Sequence, residues 1–575
     1  MKRFHLRLSL SLRTQQLLAW LLLLTIMVVY SIWMSDQALL RYTTFRADAF
    51  DLGNMDQAFW NTIHGRPFQF TNQGSDNYGP PTRLATHVEP IILPLSLLYI
   101  FHGDARILLV FQTLALMAGA LPVFMLTRKH LPSFPLLAPV MAASYLFAPA
   151  LLGLNIFDFH PVSMAAPLLL YAVWAMEQRK HVWFIITCLL ACACKEDIPL
   201  AVALLAILAI WKFRMRWTGS ILALIGLLWT AIAFTVVIPR FFPGAQHSNY
   251  WYRYEALGSS PSAAIVNVLL HPWLPFTIFL TLDRIYYLFS LLRSSGFLAL
   301  LAPEWLLPIL PSLAVNILAD GFAYNSGVYH YNAAIVPFVV IASIHGLRRF
   351  LQLWAGWREE TLEGPPAIQK PLKETAHLPG VQIIVQLGRQ GWLVLVGTGK
   401  RLWRVSRLSE SGPFWRERRQ SMRLRFAELA RYCSLSIMYV VLIVWIVGMT
   451  MLNYSILTPR LNIFWATHSP GLHEQQIEQL LTMIPADASV SAGGNLNPHL
   501  TDRRYITVFP EITFLTSEPG VSNTVEYVIV DLDTLSPEDT NRSANFVDVL
   551  NQLQRSHQYK LVAQADGVIL LKKAS

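Results

Sequence analysis

Leu17-Leu18-Ala19-Trp20-Leu21-Leu22-Leu23-Leu24-Thr25-Ile26-Met27-Val28-Val29-Tyr30-Ser31-Ile32-Trp33-Met34 is a run of eighteen residues without a formal charge. That is close to the length of apolar helix that crosses the hydrocarbon core of a bilayer. Lys2, Arg3, Arg7 and Arg13 precede it and no small-residue cleavage site follows. The segment therefore reads as a retained first span with a cytoplasmic N-terminus rather than as a signal peptide. Outward from it, apolar runs recur at 106–126, 134–154, 162–176, 182–193, 198–211 and 218–238, as a pair within 273–318, and at 333–345 and 436–457. The expectation is an α-helical polytopic membrane protein of about eleven spans.

Composition agrees. Of 575 residues 54% are hydrophobic and only 14% charged, where a soluble domain carries about a quarter; disorder and an ordinary soluble enzyme are excluded. The net charge of +10 does not point to nucleic acid, because 16 basic and 7 acidic residues fall between Gly346 and Ser434 and supply nearly all of the excess. Cys188, Cys192, Cys194 and Cys433 lie in or beside apolar runs, which fits neither a disulfide framework nor a zinc site.

Basic residues test the map. With alternating spans, Arg128/Lys129, Arg179/Lys180, Lys212/Arg214/Arg216, Arg293 and the basic segment 347–434 all face the cytoplasm, as the positive-inside rule requires. The segment 91–101, with Pro90 and Pro94, must then lie along the interface. The expected organisation is a transmembrane region over 1–346 with a large first external loop at 35–105, the basic insert 347–434, a last span at 435–457, and an extracytoplasmic α/β domain over 458–575. In that last part thirteen acidic residues oppose eight basic ones and apolar runs shrink to strand length. A helix is expected over 474–483 and strands over 488–492, 505–508, 527–531 and 568–572. Within 351–431, Trp354, Trp357, Trp403 and Trp415 stand among arginines, which fits a segment on anionic headgroups and equally a solvated loop.

No Walker loop, GxSxG or HExxH is present. Instead, ionisable residues gather on the expected external side: Asp48, Asp51 and Asp56; His87 and Glu89; Asp158 and His160; Lys195-Glu196-Asp197; Arg253 within the aromatic stretch 250–254; and His330 with Tyr331. Such groups near membrane depth are costly and usually face a cavity. Each also has a plain structural reading: Asp48 as a helix cap, His87 with Glu89 and Asp158 with His160 as loop-fixing pairs, Lys195 with Glu196 as a closed pair, and 250–254 as an interfacial aromatic belt. A divalent metal on His87 and Glu89 is the weaker alternative.

Phe50-Asp51-Leu52-Gly53 with Gln57 and Trp60, His87-Val88-Glu89-Pro90, Phe157-Asp158-Phe159-His160-Pro161, Lys195-Glu196-Asp197 and His330-Tyr331 resemble the prokaryotic membrane-protein family called domain of unknown function 2079. The resemblance runs roughly over 48–349, more loosely over the outer domain, and not over the 351–431 insert. That family is similar to the C-type (GT-C) glycosyltransferases, multi-span enzymes that take sugars from polyprenyl-phosphate donors. The resemblance implies an acidic residue of the first external loop at the reacting centre, Asp51 first and Asp48 second, acting as base in an inverting transfer. Polar contacts to donor and acceptor then fall to His87, Glu89, Asp158, His160, Lys195, Glu196, Arg253 and His330, with Arg83 a further cation for the phosphate. The implied partners are the bilayer, a polyprenyl-phosphate sugar and a glycan, lipid or protein acceptor at the outer face of the cytoplasmic membrane, with no nucleic acid. Alternatives are a flippase or transporter of lipid-linked sugars, which should show internal repeats, and a non-catalytic assembly factor.

Overall fold

The computed structural model describes residues 11–72, 82–242, 251–357, 434–515, 522–535 and 546–574. The insert at 351–431 therefore lies almost wholly outside the described residues, as does Tyr250.

The chain is a multi-pass membrane protein. Among the described residues, five helices are long and apolar enough to cross a bilayer: Leu12–Thr43, Ala105–His130, Arg216–Phe241, Ile335–Gly356 and Leu435–Leu461. A sixth span forms if Leu137–Leu146 and Pro149–Ile156, bent by 47°, count as one. Pro149 opens the second half, and its missing N–H and fixed φ break the ladder there. Five shorter apolar helices follow the same direction of argument: Pro161–Glu177, His181–Cys192, Ile198–Phe213, Pro261–Leu270 and Pro303–Leu318. Helices of this length span only about 15–25 Å, short of the roughly 30 Å hydrocarbon core, so they need neighbours to shield their ends. Leu12–Thr43, Arg216–Phe241 and Leu435–Leu461 are only 22% buried and turn rows of Leu, Val and Ile outward to lipid, whereas Ile335–Gly356 is 72% buried at the centre.

Two local expectations change. In 273–318 the six-residue helix Leu274–Phe279 is followed by Leu282–Arg293, which carries Asp283, Arg284 and Arg293 and is not among the apolar helices; Arg284 donates to the carbonyls of Ile317 and Ala319. Conversely, Pro261–Leu270 is an apolar helix inside the stretch read from sequence as an external loop. The segment 91–101 forms two short turns, Ile92–Leu95 and Ser96–Ile100, with Leu93, Leu97, Ile100 and Phe101 exposed.

The C-terminal part is a five-stranded sheet in the order β2-β1-β5-β7-β6, with β1 Val490–Ala492, β2 Ile506–Val508, β5 Tyr527–Asp531, β6 Tyr559–Ala565 and β7 Val568–Lys573. β2, β1 and β5 are parallel, while β7 and β6 are antiparallel to their neighbours. A separate pair, β3 Thr513–Leu515 and β4 Ser522–Thr524, is antiparallel. Period-two alternation sorts the core. Ile529 and Leu570 meet Ile477 and Leu480 of helix Leu472–Leu481 on one face. Val528, Val530, Ile569 and Leu571 meet Phe546, Leu550 and Leu553 of helix Phe546–Arg555 on the other. The first face also takes in Phe45 from the loop after the first span. Around it, Tyr42 and Phe45 stack on His499 at 4.0 and 4.1 Å, Asn72 and Asn497 exchange side-chain hydrogen bonds, and Gln57 donates to the carbonyls of Arg503 and Arg504.

Candidate functional site

Three turns converge beneath this contact. The first follows helix Leu12–Thr43: Asp48 accepts the Phe50 N–H at 2.8 Å and caps the turn Ala49–Gly53, from which Asp51 projects. The second is the turn 157–161, where Asp158 sits at φ +42°. Buried Gln112 fixes that turn, donating to the Leu154, Asn155 and Asp158 carbonyls and accepting the His160 N–H at 3.0 Å. The third is the turn before Ile335. Gly153 admits the Val328 backbone, since a Cβ there would lie 1.9 Å from the Val328 oxygen, and two residues on, His330 lies over His160 with Tyr331 against its own ring.

The result is a cavity of about 220 Å³ lined by Asp51, Asn54, Arg83, Thr86, His87, Glu89, His160, Lys195, Arg253, His330 and Tyr331 among others. His160 Nε2 lies 3.0 Å from Asp51 Oδ1, with the Asp51 side chain still 28% exposed. His330 stacks on His160 at 3.9 Å between ring centres. The Nδ1 atoms of both rings and the Asn54 side-chain oxygen are buried without a hydrogen-bond partner among the described residues. Burial first, and then the neighbouring His160, Lys195, His87 and Arg253, hold His330 well below the ordinary histidine value.

Arg83 is tied to Glu89 at 2.7 Å. His87 Nδ1 meets Glu196 at 2.8 Å, and the Val88 N–H donates to the other Glu196 oxygen. Burial opposes ionisation of Glu196, but His87 and Lys195 outweigh it and keep the carboxyl below its usual range. Lys195 Nζ lies 3.9 Å from Asp197 and 5.9 Å from the Tyr331 ring centre; Arg253 packs over Tyr324.

Of the residues given a part in the reaction from sequence, Asp51, Arg83, His87, Glu89, His160, Lys195, Arg253 and His330 line this cavity. Three do not. Asp158 is buried behind it, 3.2 Å from Arg41, and accepts the Asp48 N–H. Burial and then Asp51 push its carboxyl up while Arg41 opposes. Glu196 stands behind His87. Asp48, beyond its capping role, lines a second cavity of about 550 Å³ between the first loop and the C-terminal part. Asp51 lines that one too. The neighbour pairings read from sequence are replaced: His87 pairs with Glu196 rather than Glu89, His160 with Asp51 rather than Asp158, and Lys195 approaches Asp197 rather than Glu196. With Glu89 on Arg83 and His87 on Glu196, these two do not form the metal pair weighed above. Sequence reasoning missed Arg41, Gln112 and Asn54; a glutamine inside an otherwise apolar span was the available signal for Gln112.

A family model described as a predicted membrane protein (DUF2079) matches residues 41–364 and 413–570. No curated protein matches the sequence. Among solved structures the chain is similar to ArnT from Cupriavidus metallidurans bound to undecaprenyl phosphate, with 12% identity and a TM-score of 0.42 over 96% of this chain and 98% of that one.

Proposed function

The chain belongs to the DUF2079 family of predicted membrane proteins, and from that premise and the cavity at Asp51 we propose that it is an inverting membrane glycosyltransferase of the C type. It moves a sugar from a polyprenyl-phosphate donor to an acceptor hydroxyl at the outer face of the cytoplasmic membrane. In this reading the N-terminus is cytoplasmic, the region 1–346 and the last span at 435–457 form the membrane body, and 458–575 caps the external side.

One observation carries the reading: a carboxylate with a bound imidazole, Asp51 and His160, shares one small cavity with Arg83, His87, Lys195 and Arg253. A phosphate leaving group needs positive charge and N–H donors, and that wall offers them. A hydroxyl nucleophile needs a base within hydrogen-bond reach. Asp51 is that base, held in place by His160. The acceptor oxygen bonds to the anomeric carbon from the face opposite the phosphate, the bond from that carbon to the phosphate oxygen breaks, the proton goes to Asp51, and polyprenyl phosphate leaves with the electron pair. The second cavity, which reaches Asp51 from the outer-domain side, supplies the acceptor's approach.

The test uses membranes containing the full chain and a radiolabelled polyprenyl-phosphate sugar. Asp51→Asn is expected to lower transfer by about 10²- to 10⁴-fold, with the protein still present and folded. Unchanged transfer removes Asp51 from the mechanism.

A further inference from the structure

The outer domain holds a second group of ligating side chains that sugar transfer does not use. β1 lies between β2 and β5, all three parallel, and the chain leaves β1 toward one side and β5 toward the other. The crevice beyond the carboxyl ends of β1 and β5 is thus the switch point at which open α/β sheets take their ligands. Asn495 follows β1 there, Asp531 ends β5, Asp533 and Thr534 come next, His473 enters from helix Leu472–Leu481, and Asp566 from the β6–β7 turn.

One ligand atom each from His473, Asp533 and Asp566 lie within 4.8 Å of one another. His473 Nδ1 is 2.9 Å from Asp566 and its Nε2 is 3.1 Å from buried Asp531. Three carboxylates face a single imidazole, leaving excess negative charge. A separate observation comes from Asn495, which lines the outer cavity together with His473 and Thr534. It is 4% exposed and its amide nitrogen donates to Thr534 at 3.0 Å. Its oxygen is buried with no partner among the described residues, a lone pair in want of a donor or cation.

We propose that the outer domain binds one divalent transition cation, of the Mn²⁺ or Zn²⁺ class, through His473 Nδ1, Asp533 and Asp566 at this crevice, with Asp531 holding the other ring nitrogen of His473 in place from behind. The imidazole selects against Mg²⁺ and Ca²⁺, and the carboxylates against softer ions. The cation ties the β6–β7 turn to the end of β5 and to helix Leu472–Leu481, along the wall of the outer cavity. The inference does not depend on sugar transfer.

The full-length protein in detergent micelles, stripped by chelator, is titrated with Mn²⁺ alone and followed by electron paramagnetic resonance, with Zn²⁺ added in competition. The wild type is expected to hold one ion per chain. Asp533→Asn and Asp566→Asn, both at exposed positions, are expected to weaken binding by roughly 10- to 100-fold with an unchanged far-ultraviolet spectrum. Asp51→Asn is expected to retain the ion, which separates this site from the transfer cavity. Failure of the wild type to retain either ion at millimolar concentration, or binding unaltered in the Asp533→Asn/Asp566→Asn double variant, overturns the proposal.

Discussion

Arg41 and Asp158 face each other at 3.2 Å with side chains 8% and 1% exposed, and neither finds water when the other is removed. Arg41→Ala leaves a buried carboxylate alone and is expected to cost about 3 kcal/mol of stability at neutral pH, read by thermal unfolding in detergent. Asp158, whose carboxyl is already raised by burial, escapes that cost by taking a proton. The deficit should therefore be smallest in acid and grow as pH rises through the raised value; a deficit independent of pH would refute this account. At this scale most of the cavity residues are legible in the sequence, because charged groups beside apolar runs stand out. Their partners are not. Sequence proposes neighbours, whereas the pairs formed here join positions separated by 109 residues for His87 with Glu196 and for His160 with Asp51, and by 117 for Arg41 with Asp158. No local pattern encodes such distances.

Elements are legible in proportion to the strength of their periodicity. The long apolar helices and the strands at 490–492, 506–508, 527–531 and 568–573 fall where hydropathy and alternation put them. The stretch 261–318 does not, because short Pro-started helices carry no decisive length signal. Packing between elements is hidden further, and Gly153 is the clearest instance. In sequence it is one small residue in an apolar run; in the fold it is the gap through which the Val328 backbone passes. Gly153→Ala would drive a methyl into the Val328 carbonyl and push the His330 turn off His160. The expected outcome is a loss of about 1–3 kcal/mol in stability and a fall in transfer activity. Wild-type melting with displaced histidine resonances, or wild-type values of both, would separate a local shift from no effect.

The first loop and the C-terminal sheet region are joined across one contact, and two measurements address it. Phe45→Ala empties a position 4% exposed in the core of the C-terminal region and is expected to cost about 3–5 kcal/mol, read as faster protease release of 458–575. The same contact buries Asp56, which accepts hydroxyl bonds from Tyr99 and Thr501, beside Asp502. Burial first, with help from neighbouring carboxylates, raises both above the usual range. Acids whose native values are raised favour the folded form fully below about pH 4, the unfolded value, and lose that contribution as pH climbs through the raised values. The contact should thus loosen in alkali, and Asp502→Asn should flatten the dependence in a pH series of protease release. Because Phe45 leaves the ribosome more than four hundred residues before Ile477, Val490 and Ile529, which enclose it, the turn bearing Asp51 must wait through nearly all of synthesis for its roof. Contacts this far apart in sequence form late, so a nascent chain halted before the sheet is made carries a half-built pocket, and the proposed transfer would have to wait until the last strands are in place.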